Sequence, residues 1–142
     1  MAKTVFHKTN QRESIRKALL DADRPLSPQE LLEAAQASSP SVGQATVYRT
    51  IKAFLAQGWI ESISLPGEPP RYELAGKHHH HHFRCRTCDG VFEIAGCELT
   101  LGKRLPPGFK LENHEIVLYG LCDKCSRASG SSRRGKVARR SR

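Results

Sequence analysis

The chain of 142 residues has no apolar run approaching the roughly 18 residues that a bilayer-crossing helix requires. Its first residues, Met1-Ala2-Lys3-Thr4, lack the apolar stretch of a secretion signal. These absences argue against membrane and secreted classes, and the expectation is a cytoplasmic protein without a membrane partner. No internal repeat is visible, and no catalytic signature such as HExxH, so we expect no enzyme, no catalytic residue and no small organic substrate. With 38% hydrophobic and 26% charged residues, the composition is that of a globular protein with a modest core. The length allows one domain, or two small ones that share their stability with a metal or a partner subunit.

Acid is missing altogether from residues 126–142, which hold seven of the 23 basic residues. The first 125 residues carry 16 basic against 14 acidic groups, so the net charge of +9 is largely a property of the tail. A Ser/Gly/Arg-rich tail cannot offset the entropy of ordering, and we expect it to be disordered over 126–142. It is either a solubilising extension or a nonspecific contact to phosphate backbones.

Residues 8–75 contain no cysteine and no histidine cluster, whereas six of the seven histidines and all five cysteines lie between His78 and Cys125. This break predicts two functional units, 1–75 and 76–125, joined near Leu74–Lys77. In the first, Thr9 or Asn10 reads as the cap of a helix with Ile15, Ala18, Leu19 and Ala22 facing inward. Ser27-Pro28-Gln29-Glu30 reads as a capping box with proline at the first helical position, followed by inward Leu31, Leu32, Ala34 and Ala35. A third helix, about 44–57, has Val47, Ile51, Phe54 and Leu55 on one face and ends at Gly58. Extended segments Trp59–Leu65 and Arg71–Leu74 then flank a Pro/Gly turn.

Three helices and a hairpin describe a winged helix-turn-helix. The third helix would read double-stranded DNA, offering Gln44, Thr46, Arg49, Thr50 and Lys52 to phosphates or base edges. A helical domain with a solvated polar face is the plainer alternative. Tyr48 fits either a core ring or a DNA contact.

In the second unit, Cys85-x-x-Cys88 and Cys122-x-x-Cys125 are separated by 33 residues. Two such pairs supply four thiolates for a closed, structural zinc site with no open position for catalysis. The separation requires a small substructure between them. The five histidines His78–His82 precede the first pair. In a strand, His80 and His82 would share one face and His79 and His81 the other. Oxygen ligands for a metal on one face are Glu73 and Glu93, with Glu61 on the wing. His114 could join the other face, with Glu98 or Cys97.

Several pieces recur together in the order of a known family. They are Ala45-Thr46-Val47-Tyr48-Arg49, Arg71-Tyr72-Glu73-Leu74, the histidine run leading into Cys85-x-x-Cys88, and Asn113-His114 leading through Leu118-Tyr119-Gly120 to Cys122. Over about residues 8–125 this set resembles the ferric uptake regulator (Fur) family of metal-dependent bacterial repressors, including its zinc uptake regulator-like branch. The resemblance implies an α+β homodimer: an N-terminal winged helix-turn-helix and a small C-terminal α/β dimerisation domain with a four-cysteine zinc site. It implies binding to a palindromic operator when a hinge metal site is occupied, and so control of metal homeostasis genes. By position, the closed zinc site is Cys85, Cys88, Cys122 and Cys125; the hinge sensor is Glu73, His80, His82 and Glu93; a further site is His79, His81 and His114. Lys8, Tyr48 and Arg49 match DNA contacts.

The chain also departs from the pattern. Pro25 stands where iron- and peroxide-sensing members usually have a histidine, and Glu61 occupies a wing position that zinc-sensing relatives often use as a ligand. The segment between Glu93 and His114 is about three residues short, so the family glutamate maps to either Cys97 or Glu98. Cys97 is either a sulfur ligand, which favours zinc, or a small apolar residue. Zinc stands slightly ahead of iron(II) as the regulatory metal, with manganese behind both. A metal storage or delivery protein would explain the histidines and cysteines but not the winged helix.

Overall fold

The computed structural model describes residues 2–97 and 104–131, with the side chains of 2–8 and 131 outside the description. The chain divides into two compact units between His79 and His80, a few residues beyond the break in composition.

In the first unit, helix α1 (Ala2–Ala22) does not begin at Thr9 or Asn10 but runs through both. A polar residue caps a helix only where the preceding chain leaves it, and here the chain does not. Ile15, Ala18 and Leu19 are buried, and Asp23, at φ 44°, ends the helix in left-handed backbone. Helix α2 (Pro28–Gln36) starts on the capping box: Glu30 N–H donates to Ser27 Oγ (3.2 Å) and Ser27 N–H to Glu30 Oε2 (2.8 Å). Leu31 and Ala35 face the core, while Ala34 is exposed.

Helix α3 (Gln44–Ala56) buries Val47, Thr50, Ile51 and Phe54. Two sequence assignments are corrected here. Thr50 faces inward, and Leu55 is 37% exposed, because the helix is rotated so that the 47, 50, 51, 54 row meets the core. Gly58, at φ 65°, turns the chain out of α3 into strand β1 (Ile60–Ile63), which pairs antiparallel with β2 (Arg71–Leu74) in the register Glu61 to Glu73. Leu26 and Tyr72 exchange two backbone hydrogen bonds of 2.9 Å, tying the wing to the segment before α2. These elements form a winged helix around Ile15, Leu19, Leu31, Val47, Ile51, Phe54 and Ile60. Each such side chain contributes roughly 1.5–3 kcal/mol by burial.

The second unit is a three-stranded sheet in the order β4-β3-β5. Central β3 (His80–Cys85) pairs antiparallel with β4 (Val91–Ala95) and parallel with β5 (Val117–Gly120), and α4 (Asp123–Ser131) follows. The parallel pairing demands a long crossover, which is why the two CxxC pairs stand far apart. Helix α4 continues to Ser131, so residues 126–131 are helical rather than part of a disordered tail. Residues 132–142 lie outside the described residues. Among the described residues its apolar core is small, and Ile94, Phe109, Leu111, Leu118, Tyr119 and Leu121 are exposed.

Glu30 also anchors the wing. It receives guanidinium contacts from Arg24 (3.0 Å) and Arg71, the latter 8% exposed. Burial alone would raise its pKa, but the Ser27 N–H and the Arg24 and Arg71 charges outweigh that and hold the carboxyl below its ordinary 4.5. Its stabilisation is therefore present above pH 4.5 and is lost as pH falls through the lower folded value. Glu30→Gln is expected to cost about 2 kcal/mol at pH 7 and to remove that acid-limb dependence, read by urea unfolding at several pH values. Equal stability and an equal acid limb in the variant would contradict this role.

Candidate metal centres and DNA-reading face

Cys85 closes β3, Cys88 sits in the turn after it, Cys122 follows β5, and Cys125 lies in the first turn of α4. The four sulfurs lie within 4.8 Å of one another. The turn is shaped by Cys85 N–H donating to the Gly90 carbonyl (2.9 Å) and Arg86 N–H to the Gly120 carbonyl (2.8 Å). Asp89 takes φ 57°, and a side chain on Gly90 would press on Cys88 Sγ at 3.3 Å. Backbone N–H groups point at sulfur: Cys122 N–H donates to Cys85 Sγ at 3.3 Å. That donor, with the Cys88 and Thr87 amides, lowers the Cys85 pKa to about 6. Cys125 is pushed up to about 12, first by its hydrogen bond with Cys122 and then by burial. One ready thiolate and a crowded, proton-holding sulfur fit a tetrahedral divalent cation, which would replace the protons between them.

The pleat of β3 divides the histidines. His80 and His82 share one face, with ring centroids 4.9 Å apart, and Glu93 stands directly opposite His82 on β4. His81 faces the other way and is buried. There His114 lies 5.1 Å from it by ring centroid, and His114 Nε2 is 3.1 Å from Cys97 Sγ. His81, His114 and Cys97 each offer a ligand atom within 4.8 Å of the others. Nitrogen and sulfur donors at that spacing suit a borderline-soft cation such as zinc. His79 immediately precedes β3 at the division between the units, and His78 precedes it. Glu98, the alternative to Cys97, lies outside the described residues. In the first unit, Glu61 and Glu73 are cross-strand partners on the wing; Glu61 is exposed and Glu73 buried.

On α3, Gln44, Tyr48 and Lys52 recur every fourth residue, with Arg49 beside them, and all four are exposed. Tyr48 is 50% exposed, which favours a contact over a core ring. Thr46 is half-buried, its hydroxyl accepting from Arg49 at 3.4 Å. Lys8 is carried on α1, and its side chain lies outside the description.

Sequence reasoning missed three groups. Arg12 and Arg16 lie over the Phe54 and Trp59 rings at 5.1 and 5.3 Å, and Lys77 contacts Glu73 and Asp23. Arg12, Arg16, Phe54 and Trp59 come together only through the packing of α1 on α3, which no linear spacing reveals.

Over residues 3–119 the chain matches the Ferric uptake regulator family. It is similar to the ferric uptake regulation protein of Campylobacter jejuni subsp. jejuni serotype O:2, with 35% identity over 123 residues, covering 83% of this chain and 78% of the relative. Among solved structures, it is similar to a zinc-bound manganese uptake regulator, with TM-score 0.71 and 30% identity over 79% of this chain and 87% of that one. It is also similar to the Helicobacter pylori ferric uptake regulator, which has three functional metal binding sites; there the TM-score is 0.60 and the identity 26%, over 82% and 79% of the two chains.

The sulfur quartet generates a direct expectation. Cys85→Ser or Cys122→Ser should lose about one zinc equivalent per chain by elemental analysis and lose dimer mass in light scattering. Acidification should release the same zinc from the unaltered protein, because protons reclaim the thiolates. Full zinc content and dimer mass in either serine variant would refute the assignment.

Proposed function

Because the chain belongs to the ferric uptake regulator family, whose members are metal-responsive transcriptional regulators that bind DNA and act as dimers, we propose that it is a repressor controlling metal homeostasis genes. In this reading two copies bind a palindromic operator when a regulatory site is filled. Its ligands are Glu73, His80, His82 and Glu93. A further metal site in the second unit uses His79, His81, His114 and Cys97. The observation that carries the reading is the division of one histidine strand into two faces, each with further donors beside it.

A divalent cation supplies a fixed link among imidazole and carboxylate groups that otherwise hold their own protons or counter-ions. His80, His82 and Glu93 are held by the sheet, whereas Glu73 belongs to the wing. Their joint occupation would therefore favour one placement of the reading head over others. The gain in operator affinity equals the differential affinity of the cation for the two states. Exposed apolar groups of the second unit, Leu118 and Tyr119 among them, support its role as the self-association surface.

We assign zinc as the regulatory metal, on the sulfur of Cys97 beside His114. Iron(II) is the second reading: the hinge ligands are nitrogen and oxygen only, and the Campylobacter relative is named for ferric uptake.

Two outcomes test the proposal. His80→Ala combined with His82→Ala should keep the dimer and abolish metal-stimulated operator binding. Fluorescence anisotropy with zinc, iron(II) and manganese reads this, and titrations identical to the parent protein would sink the sensor assignment. Arg49→Ala should weaken operator binding by about 1–3 kcal/mol with folding intact. Undiminished affinity for a specific operator at matched salt would remove α3 from the DNA-reading role.

A further inference from the structure

The wing places a second positive group on a carboxylate that the proposed metal must use. Lys77 Nζ lies 3.7 Å from Glu73 Oε2 and 3.3 Å from Asp23 Oδ1. The two acids differ sharply in surroundings. The Glu73 side chain is 1% exposed and that of Lys77 is 14% exposed, whereas Asp23 is 79% exposed. A charge pair away from water interacts far more strongly than one bathed in it. Asp23 is the nearer acceptor but is bathed in water, whereas the longer Glu73 contact is shielded, so Lys77 is shared between the two.

We propose that Lys77 is a built-in competitor for the regulatory metal: its ammonium is shared between Glu73 and Asp23 in the metal-free protein and is left to Asp23 alone when Glu73 becomes a ligand. Lys77 thereby sets the metal concentration at which the sensor responds. The inference rests on the reading of Glu73 as a ligand given above.

A buried carboxylate needs a positive partner in every state of the protein. Without metal, Lys77 supplies positive charge beside it. With metal the cation does, and an ammonium left in place would face a divalent charge across one carboxyl group. Each positive charge then weakens the binding of the other by the same factor. Lysine suits this exchange, since its flexible four-carbon stem can swing a point charge between two acceptors, and the second acceptor is already within contact distance. Left-handed backbone at Asp23 holds that carboxylate just past the end of α1. The penalty depends on charge and applies to any divalent cation, so Lys77 tunes the response threshold rather than metal identity.

The test uses the full-length protein with its four-cysteine site already filled and His114→Ala in every sample, which disables the further proposed site, and titrates zinc against a chromophoric chelator. Lys77→Met is expected to tighten the next zinc equivalent about tenfold, and to enlarge the zinc-induced rise in thermal midpoint because the metal-free form loses a counter-ion. Lys77→Arg, which keeps the charge, should stay within about threefold of the parent, and Asp23→Asn should weaken binding about two- to threefold. Far-UV spectra and dimer mass check that each variant folds; should Lys77→Met fail there, Asp23→Asn still decides. Glu73→Gln separates the two levels of the argument. If it binds that zinc as the parent does, the ligand assignment falls. If it loses the zinc while Lys77→Met and Asp23→Asn both match the parent, the competitor role alone is overturned.

Discussion

The two-residue repeat of β3 is the constraint on which the second unit depends. Six residues must deliver His80 and His82 to one face, His81 to the other, and Cys85 to a four-sulfur cluster at the strand's end. A slip of one residue would exchange every face at once. The register is pinned at the cysteine end, where the strand bonds on both sides: Cys85 N–H to the Gly90 carbonyl and Arg86 N–H to the Gly120 carbonyl. Gly120 is tight against the Phe83 ring, with a hypothetical Cβ only 2.9 Å away, so β5 approaches β3 closely enough to leave little freedom to slide. The structural sulfur cluster and the imidazole faces are thus one problem in register. Fixing the first aims the second.

Legibility in the sequence follows the range of the interaction. The capping box at Ser27–Glu30 and the wing strands are decided by neighbours a few residues apart, and they stand where the sequence places them. The start of α1 does not, because Thr9 and Asn10 are good caps that an already helical chain passes through. The inward row of α3 departs from expectation at Thr50 and Leu55. Polarity puts the threonine outside and the leucine inside, but packing against α1 and α2 rotates the helix the other way. An apolar scale weighs each side chain alone, while the core weighs the row.

The candidate sites divide in the same manner. Spacing alone makes the cysteine quartet legible, since CxxC is a local turn geometry repeated twice. The pairing of Cys97 with His114 needs the crossover between β4 and β5, which brings together residues 17 apart, and the sequence leaves Cys97 and Glu98 open. Lys77 is invisible there as a site residue. It is four residues from Glu73, but the chain between them leaves β2 through a turn, so helical spacing gives no warrant for the contact.

The reading head is braced against internal change. Phe54 and Trp59 pack edge to face at 4.7 Å, Arg12 and Arg16 cover the two rings from α1, and Arg12 also reaches Gln57 at the end of α3. The Glu30 carboxylate locks the wing to α2 through Arg71. Bending α3 relative to this scaffold would break the aromatic and cation–π contacts together, each worth about 0.5–1 kcal/mol. In the proposed reading, a cation that makes only a few ligand bonds has little reason to work against that scaffold. Lys77, by contrast, stands between two carboxylates, Glu73 and Asp23, so its side chain can change partner without disturbing these contacts. A small difference in binding energy selects between arrangements only where both are already available to the chain.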